Sequence, residues 1–175
     1  MFIFGHVGIT LGIFYLLSCL FSKNNFWVKV PWIAFGALLP DFIDKPLGRI
    51  ILAETIGSGR IFAHTLLFGL LLGLSGYYLH SKDKSELLII AGASFCHIFE
   101  DQIWNSPEVF FWPFLGWEFP KDTISASFIE YLMIILSRSY DLGFTDVFIS
   151  EIVGMIIIVL LTGKYISEKR KIIRN

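Results

Sequence analysis

Long apolar runs separated by short polar segments dominate this chain of 175 residues. Because a helix needs about 20 mostly apolar residues to cross a bilayer, such runs predict spans at 2–21, 26–41, 61–80, 86–104 and 147–166. The second run is short, and the fourth has a charge-free core only from Leu87 to Phe99. The pattern predicts an all-α, polytopic membrane bundle with about five transmembrane helices.

Two further segments are predicted to lie at the membrane interface. Residues 107–120 are rich in Trp and Phe, which favour the headgroup level, and residues 123–139 form an amphipathic stretch. We expect one membrane domain, 1–175, in which residues 1–104 form a four-helix core that carries the functional site. Residues 105–146 then form the interfacial loop and helix, and residues 147–175 form the last span and a basic tail.

Composition narrows the class of protein and its partners. The chain is 55% hydrophobic with a mean hydropathy of +0.68, above the range of soluble domains. No Lys or Arg precedes the first apolar run, which is therefore predicted to be a retained helix and not a cleaved signal peptide. A net charge of -1 argues against nucleic acid as a partner.

Cys19 and Cys96 lie in apolar segments and are predicted to be buried thiols, neither paired nor metal-bound.

The basic residues divide unevenly between the two faces of such a bundle, and cytoplasmic loops are the ones enriched in Lys and Arg. One face receives nine of the fourteen, namely Lys23, Lys29, Lys82, Lys84, Lys164, Lys169, Arg170, Lys171 and Arg174. We therefore expect a protein of the cytoplasmic membrane with its N-terminus outside and its C-terminus in the cytoplasm. Membrane lipid is the expected partner, and the oligomeric state is open.

Histidine and aspartate residues are predicted to gather at the outer face. They open the first and third spans, close the second, and lie near the end of the fourth. The candidate metal ligands are His6, Asp41, Asp44, His64, His97 and Asp101. The spacings of three between the first two aspartates and four between His97 and Asp101 place each pair on one helix face. His80 falls at the opposite face and serves as an internal control.

These residue types indicate a site for a divalent metal. Imidazole and carboxylate suit zinc, and also manganese or iron, and six ligands are enough for one ion or two. A catalytic ion would supply a metal-activated water, with Glu54, Glu100 or the more distant Glu130 as its proton acceptor. Arg60 is predicted either to pair with Asp41 or Asp44, or to bind a phosphate or carboxylate of a substrate.

Taken singly, each of these residues also has a structural interpretation. Asp41 and Asp44 could end a helix beside Lys45 or Arg49, and His6 or His64 could be an ordinary polar group of a membrane helix. His97 and Asp101 are harder to explain in that way, because ionisable residues towards a membrane interior are costly. The convergence of all six residues favours a metal site.

The order of these motifs resembles the YdjM-type family of membrane-bound, metal-dependent hydrolases, described as LexA-binding and inner membrane-associated, and within it an archaeal-like branch. The similarity extends from about His6 to Pro120. The matching motifs are the N-terminal His, Leu39-Pro40-Asp41-Phe42-Ile43-Asp44, Arg60 with His64-Thr65, His97-x-x-x-Asp101-Gln102-Ile103-Trp104 and Trp112-Pro113-Phe114-Leu115-Gly116-Trp117.

The resemblance implies metal roles for all six candidate ligands. The family is also similar to zinc-dependent phospholipase C proteins and related nucleases, which implies a phosphoester or lipid-type substrate. One departure stands out, because Gly59 precedes Arg60 where the family often has a histidine. The candidate ligands and the resemblance together predict a hydrolase with a metal-activated water. The departure at Gly59 favours the alternative, a membrane protein whose ion is only structural.

Overall fold

A computed structural model of the protein describes residues 2–21, 26–121 and 146–174, together with the single positions 129, 133, 134 and 137. Over this part of the chain the protein is helical and contains no strand, which confirms the predicted fold class. The predicted amphipathic helix at 123–139 lies outside the described residues except at those four positions.

The helices with described bounds are α1 (Ile3–Leu20), α2 (Phe26–Pro46), α3 (Leu66–His80), α4 (Glu86–Glu100), α5 (Pro107–Phe110) and α6 (Asp146–Arg174). A π-helical turn, Leu47–Ile51, extends α2, and 3₁₀ turns lie at Phe62–His64 and Ile103–Asn105. The predicted aromatic segment 107–120 thus contains only the short helix α5.

Three of these helical stretches are long and apolar enough to cross a membrane, namely Ile3–Leu20, Phe26–Ile51 and Asp146–Lys171. Helices α3 and α4 are shorter than the sequence predicted, with 15 residues each. At 1.5 Å per residue each is about 22 Å long, less than the roughly 30 Å of a bilayer core. The second helical stretch is longer than the predicted 26–41, because α2 continues to Pro46 and the π-helical turn then extends it to Ile51.

The third predicted span began at residue 61, whereas α3 begins at Leu66. Thr65 caps this helix, since its hydroxyl oxygen accepts the backbone N–H of Phe68 at 3.0 Å. His64 therefore lies in the 3₁₀ turn before α3 and not in the helix itself. The fourth helix ends early as well, because Gln102 adopts a left-handed conformation with φ of 49°.

Helices α1 and α6 lie side by side and run in the same direction. Gly8 and Gly154 meet so closely that a Cβ atom on Gly8 would lie 2.2 Å from the Gly154 carbonyl oxygen. Further along both helices, the Lys164 amine of α6 donates to the Tyr15 hydroxyl of α1. Small residues allow this approach of two backbones, and it brings the starts of α1 and α6 to the same end of the bundle.

Helix α4 packs between α2 and α3. At Gly36 of α2 a Cβ atom would lie 2.6 Å from the Ile90 carbonyl oxygen of α4. The Ser94 hydroxyl also donates to the Gly36 carbonyl at 2.9 Å. The short α3 to α4 connection makes these two helices antiparallel, so the end of α4 returns to the level at which α3 begins.

Both cysteines are free. Cys19 is exposed, so the prediction of a buried thiol is wrong at this position. The last turns of α1 face outward from the bundle, as the 76% exposure of Leu20 shows. Cys96 is partly buried in α4.

Candidate metal centre

Three histidine side chains meet at the end of the bundle where α1 and α3 begin and α4 ends. His6 lies in the first turn of α1, His64 in the 3₁₀ turn before α3, and His97 in the last turn of α4. All three are at most 1% exposed. The His6 and His97 rings stack with their centroids 3.9 Å apart, and the His64 ring lies 5.2 Å from that of His97.

The Nδ1 atom of each imidazole faces away from the cluster and is held by an oxygen acceptor. His6 Nδ1 donates to Glu100 Oε2 at 2.8 Å, His64 Nδ1 to Asp44 Oδ2 at 2.7 Å, and His97 Nδ1 to the Ala37 carbonyl oxygen at 2.7 Å. A carbonyl oxygen only accepts hydrogen bonds, so the proton of neutral His97 must sit on Nδ1. For His64 and His97 this arrangement leaves the two Nε2 lone pairs to face each other, whereas His6 Nε2 faces Asp101.

The Nε2 atoms converge at distances that suit ligands of one ion. His64 Nε2 lies 3.3 Å from His97 Nε2, and His6 Nε2 lies 3.3 Å from Asp101 Oδ1. A tetrahedral ion with bonds of about 2.1 Å separates its ligand atoms by about 3.4 Å. His6 Nε2 is buried, and among the described residues it has no hydrogen-bond partner, although Asp101 is so near.

Two carboxylates complete this cluster. Asp41 Oδ1 lies 3.8 Å from the Nε2 atoms of both His64 and His97, and Asp101 Oδ2 lies 3.8 Å from His64 Nε2. Two groups of candidate ligands result, each with its atoms within 4.8 Å of one another: His6, Asp41 and His97, and His64, His97 and Asp101. Five of the six predicted ligands therefore come together, and His97 belongs to both groups.

Asp44, predicted as the sixth ligand, has other partners. Its carboxylate is fully buried and accepts the backbone N–H groups of Ile61 at 2.8 Å, Ala63 at 2.9 Å and His64 at 3.2 Å, besides the His64 imidazole. These bonds hold the 3₁₀ turn that carries His64. The geometry fits a residue that orients a candidate ligand better than one that would itself bind an ion.

Glu100, predicted as a candidate proton acceptor, has a similar place behind His6. Besides the imidazole, its carboxylate accepts the Thr10 hydroxyl at 2.9 Å. The other two candidates are less informative, since Glu54 is exposed in the turn that follows the π-helical segment and Glu130 lies outside the described residues.

Arg60 pairs with Asp101 and not with either of the aspartates predicted from the sequence. Its Nε donates to Asp101 Oδ2 at 3.0 Å, and its terminal nitrogen lies 2.9 Å from the same oxygen. Burial raises the pKa of the Asp101 carboxyl, but the neighbouring His6 ring and the Arg60 guanidinium outweigh burial and hold this pKa well below its usual range. Asp101 is therefore charged at neutral pH.

Glu151 of α6 is a residue that the sequence interpretation missed. Its fully buried carboxylate accepts the backbone N–H groups of Phe2 at 3.1 Å, Phe4 at 3.2 Å and Gly5 at 2.8 Å. A carboxylate at the start of a helix satisfies its free N–H groups and is favoured by the helix dipole. It fixes the turn that carries His6, and the signal available in the sequence was a lone acid inside an apolar helix.

His80, the internal control, is exposed at the other end of α3, where its Nδ1 lies 3.0 Å from the Ser85 hydroxyl. It belongs to neither group of candidate ligands in the described part of the chain.

Over the residues that the structure describes, a helical membrane bundle with a buried cluster of histidine and aspartate at one end defines the class of this protein. The family model of the YdjM inner membrane proteins matches residues 1–172, and the chain therefore belongs to that family. This confirms the resemblance found in the sequence motifs. Neither a curated protein nor a solved structure matches the chain.

Proposed function

We propose that the protein is a membrane-bound, metal-dependent hydrolase whose ion is held by His6, His64, His97, Asp41 and Asp101. One observation carries the proposal: the Nε2 atoms of His64 and His97 face each other at 3.3 Å. The Nδ1 atom of each ring already donates a hydrogen bond, to Asp44 and to the Ala37 carbonyl oxygen respectively. Two lone pairs at this distance repel each other. A shared proton would satisfy one such pair, whereas a divalent cation satisfies all the converging donors together.

The donor set supports a single ion. Each imidazole nitrogen offers one lone pair, and the second nitrogen of His97 donates to the Ala37 carbonyl. His97 therefore cannot serve two ions at once, although it belongs to both groups of candidate ligands. Three imidazoles with one or two carboxylates suit zinc, and manganese or iron are the alternatives.

Two cations flank the ligands and favour an anionic substrate. Lys45 donates to Asp41 at 2.5 Å, and Arg60 binds Asp101. The Arg60 side chain is 46% exposed, so part of its planar donor group can reach a ligand that approaches from outside the bundle. Guanidinium groups bind phosphate in a bidentate manner, which supports a phosphoester or lipid-type substrate.

When bound, an ion of this class lowers the pKa of a coordinated water so that hydroxide is available near neutral pH. The contribution of the chain is to hold the three imidazoles in one orientation through Asp44, Glu100 and Ala37. Burial of the histidines limits the approach of bulk water. Arg60 orients the anionic group of the substrate.

The second candidate function is a structural ion without catalysis. Its support is that the ligands come from α1, α2, the turn before α3, and the end of α4, so that one ion would join four separate elements. Removal of a structural ion should unfold the bundle, whereas removal of a catalytic ion should leave most of the fold and abolish turnover.

We also propose that the chain crosses the membrane several times, with the metal centre at the outer face. Support comes from the parallel course of α1 and α6 and from the Lys and Arg residues at the opposite end, Lys164 and Lys169 among them. Labelling of single cysteines in intact cells would test this. A cysteine at position 59 should react with an impermeant reagent, and one at position 82 should react only after the membrane is opened.

The hydrolase proposal is tested by the hydrolysis of a chromogenic phosphodiester by the protein purified in detergent. We expect turnover in the wild type and in His80→Ala, and its loss in His97→Ala and after chelation. Thermal unfolding of the chelated protein separates the two functions. Full activity in His97→Ala would contradict the hydrolase, and collapse of the fold on chelation together with no turnover in any sample would favour the structural ion.

A further inference from the structure

A groove of about 430 Å³ lies between α1, α2 and α6, away from the metal centre. Its walls include Leu11 of α1, Val28 and Pro31 of α2, and Leu161 and Thr162 of α6. These three helices are the ones in the described chain that are long and apolar enough to cross a membrane. The groove therefore opens towards the surrounding lipid.

The lining of the groove excludes water as its filling. A bound water needs two to four polar partners, whereas the walls are almost entirely aliphatic and aromatic. A space of this size without any occupant would forfeit the dispersion contacts of its walls. Among the molecules that a bilayer supplies, a flexible hydrocarbon chain matches both the shape and the apolar chemistry of the groove.

One end of the groove carries polar and charged groups. Trp27 and Tyr165 line this end, and the Trp27 Nε1–H donates to Glu168 at 2.6 Å. The Lys169 amine lies 5.9 Å from the centre of the Tyr165 ring, and the Lys164 amine lies over the ring of Tyr15. The Glu168 carboxylate also lies 3.9 Å from the Lys164 amine, so the two ammonium groups together exceed this carboxylate by one positive charge.

We propose that this groove binds one acyl chain of an anionic phospholipid, whose phosphate lies against Lys164 and Lys169. Each lysine near a membrane surface contributes about 1 kcal/mol towards an anionic lipid, which equals about a fivefold preference. The site does not depend on the hydrolase function, since it lies at the opposite end of α1 and shares none of the metal ligands.

The test is native mass spectrometry of the full-length protein, stripped of lipid in detergent and then given equal amounts of phosphatidylglycerol and phosphatidylcholine. We expect one tightly retained lipid, with phosphatidylglycerol favoured by at least about fivefold. The double variant Lys164→Gln/Lys169→Gln should lose this preference. Lys171→Gln is the matched control, because Lys171 lines a different depression, on another side of α6.

A second pair of variants tests the acyl chain. Thr162→Trp fills the groove and should abolish retention of the lipid. Leu160→Trp adds the same side chain about 200° around the helix, and should leave retention unchanged. Equal retention in these two variants, or equal binding of both lipids by the wild type, would overturn the proposal. A dimer that only Thr162→Trp dissociates, with lipid retention unaffected, would assign the groove to a second copy of the chain and also overturn it.

Discussion

The carboxylate of Asp44 holds the imidazole of His64 through a hydrogen bond of 2.7 Å from Nδ1. A matching bond joins Glu100 to His6 at 2.8 Å. The acid at the end of α2 thus fixes the histidine that precedes α3, and the acid at the end of α4 fixes the histidine of α1. The pair α1 and α2 thus orients a candidate ligand of the pair α3 and α4, and the reverse also holds, so the candidate metal centre depends on the packing of both pairs.

The first prediction concerns Asp44→Asn. The amide retains the size of the side chain but replaces an oxygen that accepts hydrogen bonds with an NH₂ group. Loss of a residue that orients a ligand lowers metal affinity about 10- to 100-fold, and each buried N–H left without an acceptor removes about 1–3 kcal/mol of stability. Competition with a chelating dye and thermal unfolding would measure both effects. Asp83→Asn, in an exposed turn, is the control and should change neither.

The second prediction separates two roles for Glu100. If Glu100 orients His6, Glu100→Gln should lower metal content and turnover together, and excess metal should restore much of the turnover. If Glu100 is instead the proton acceptor, metal content should stay at the wild-type level while turnover is lost at every metal concentration. The geometry predicts the first result, and activity titrated against added zinc would measure it.

The third prediction concerns Arg60, whose pairing with Asp101 leaves the side chain 46% exposed. Because a hydrogen bond to a charged group contributes about 1.5–3 kcal/mol, Arg60→Ala should weaken the binding of a phosphodiester about 10- to 100-fold. Lys in place of Arg60 should restore only part of the loss, because it lacks the planar donor group. Unchanged KM and kcat for the phosphodiester in Arg60→Ala would contradict this role.

The fourth prediction tests the contact between α1 and α6. In Gly154→Ala the new methyl group would lie 2.0 Å from the Phe4 carbonyl oxygen, so the helices must move apart. We expect a loss of about 1–3 kcal/mol in stability and weaker metal binding, because Glu151 would no longer hold the first turn of α1. Gly163→Ala meets no atom within 4 Å and is the control for thermal unfolding. Equal melting temperatures in the two variants would rule out the close contact.

Much of the fold could be predicted from the apolar pattern. The bounds of the first predicted helix, 2–21, are confirmed almost to the residue by α1, because an apolar helix satisfies its own backbone hydrogen bonds and needs only length and apolar side chains. The beginning of α3 could not be predicted, because it depends on a tertiary contact. The Asp44 carboxylate accepts three backbone N–H groups of the segment before this helix. Local patterns do not record an acceptor that lies 20 residues earlier in the chain.

The grouping of the candidate site followed from the order of the helices, because residues at alternate span ends arrive at one level. The different roles of the acidic residues could not be predicted from the order of the helices. Asp41 and Asp44 share a helix face, yet one approaches the imidazole Nε2 atoms and the other turns to the backbone of the next segment. Glu151 was missed for a similar reason, since its partners lie about 147 residues away in the chain.

We propose above that the converging Nε2 and carboxylate atoms bind one divalent ion, and a metal count tests this most directly. Protein purified without chelators should contain about one zinc, manganese or iron ion per chain by elemental analysis. His97→Ala should contain almost none, and His80→Ala should equal the wild type. An equal metal content in His97→Ala and His80→Ala, or a fully folded wild type that binds no divalent metal at micromolar concentration, would contradict the account.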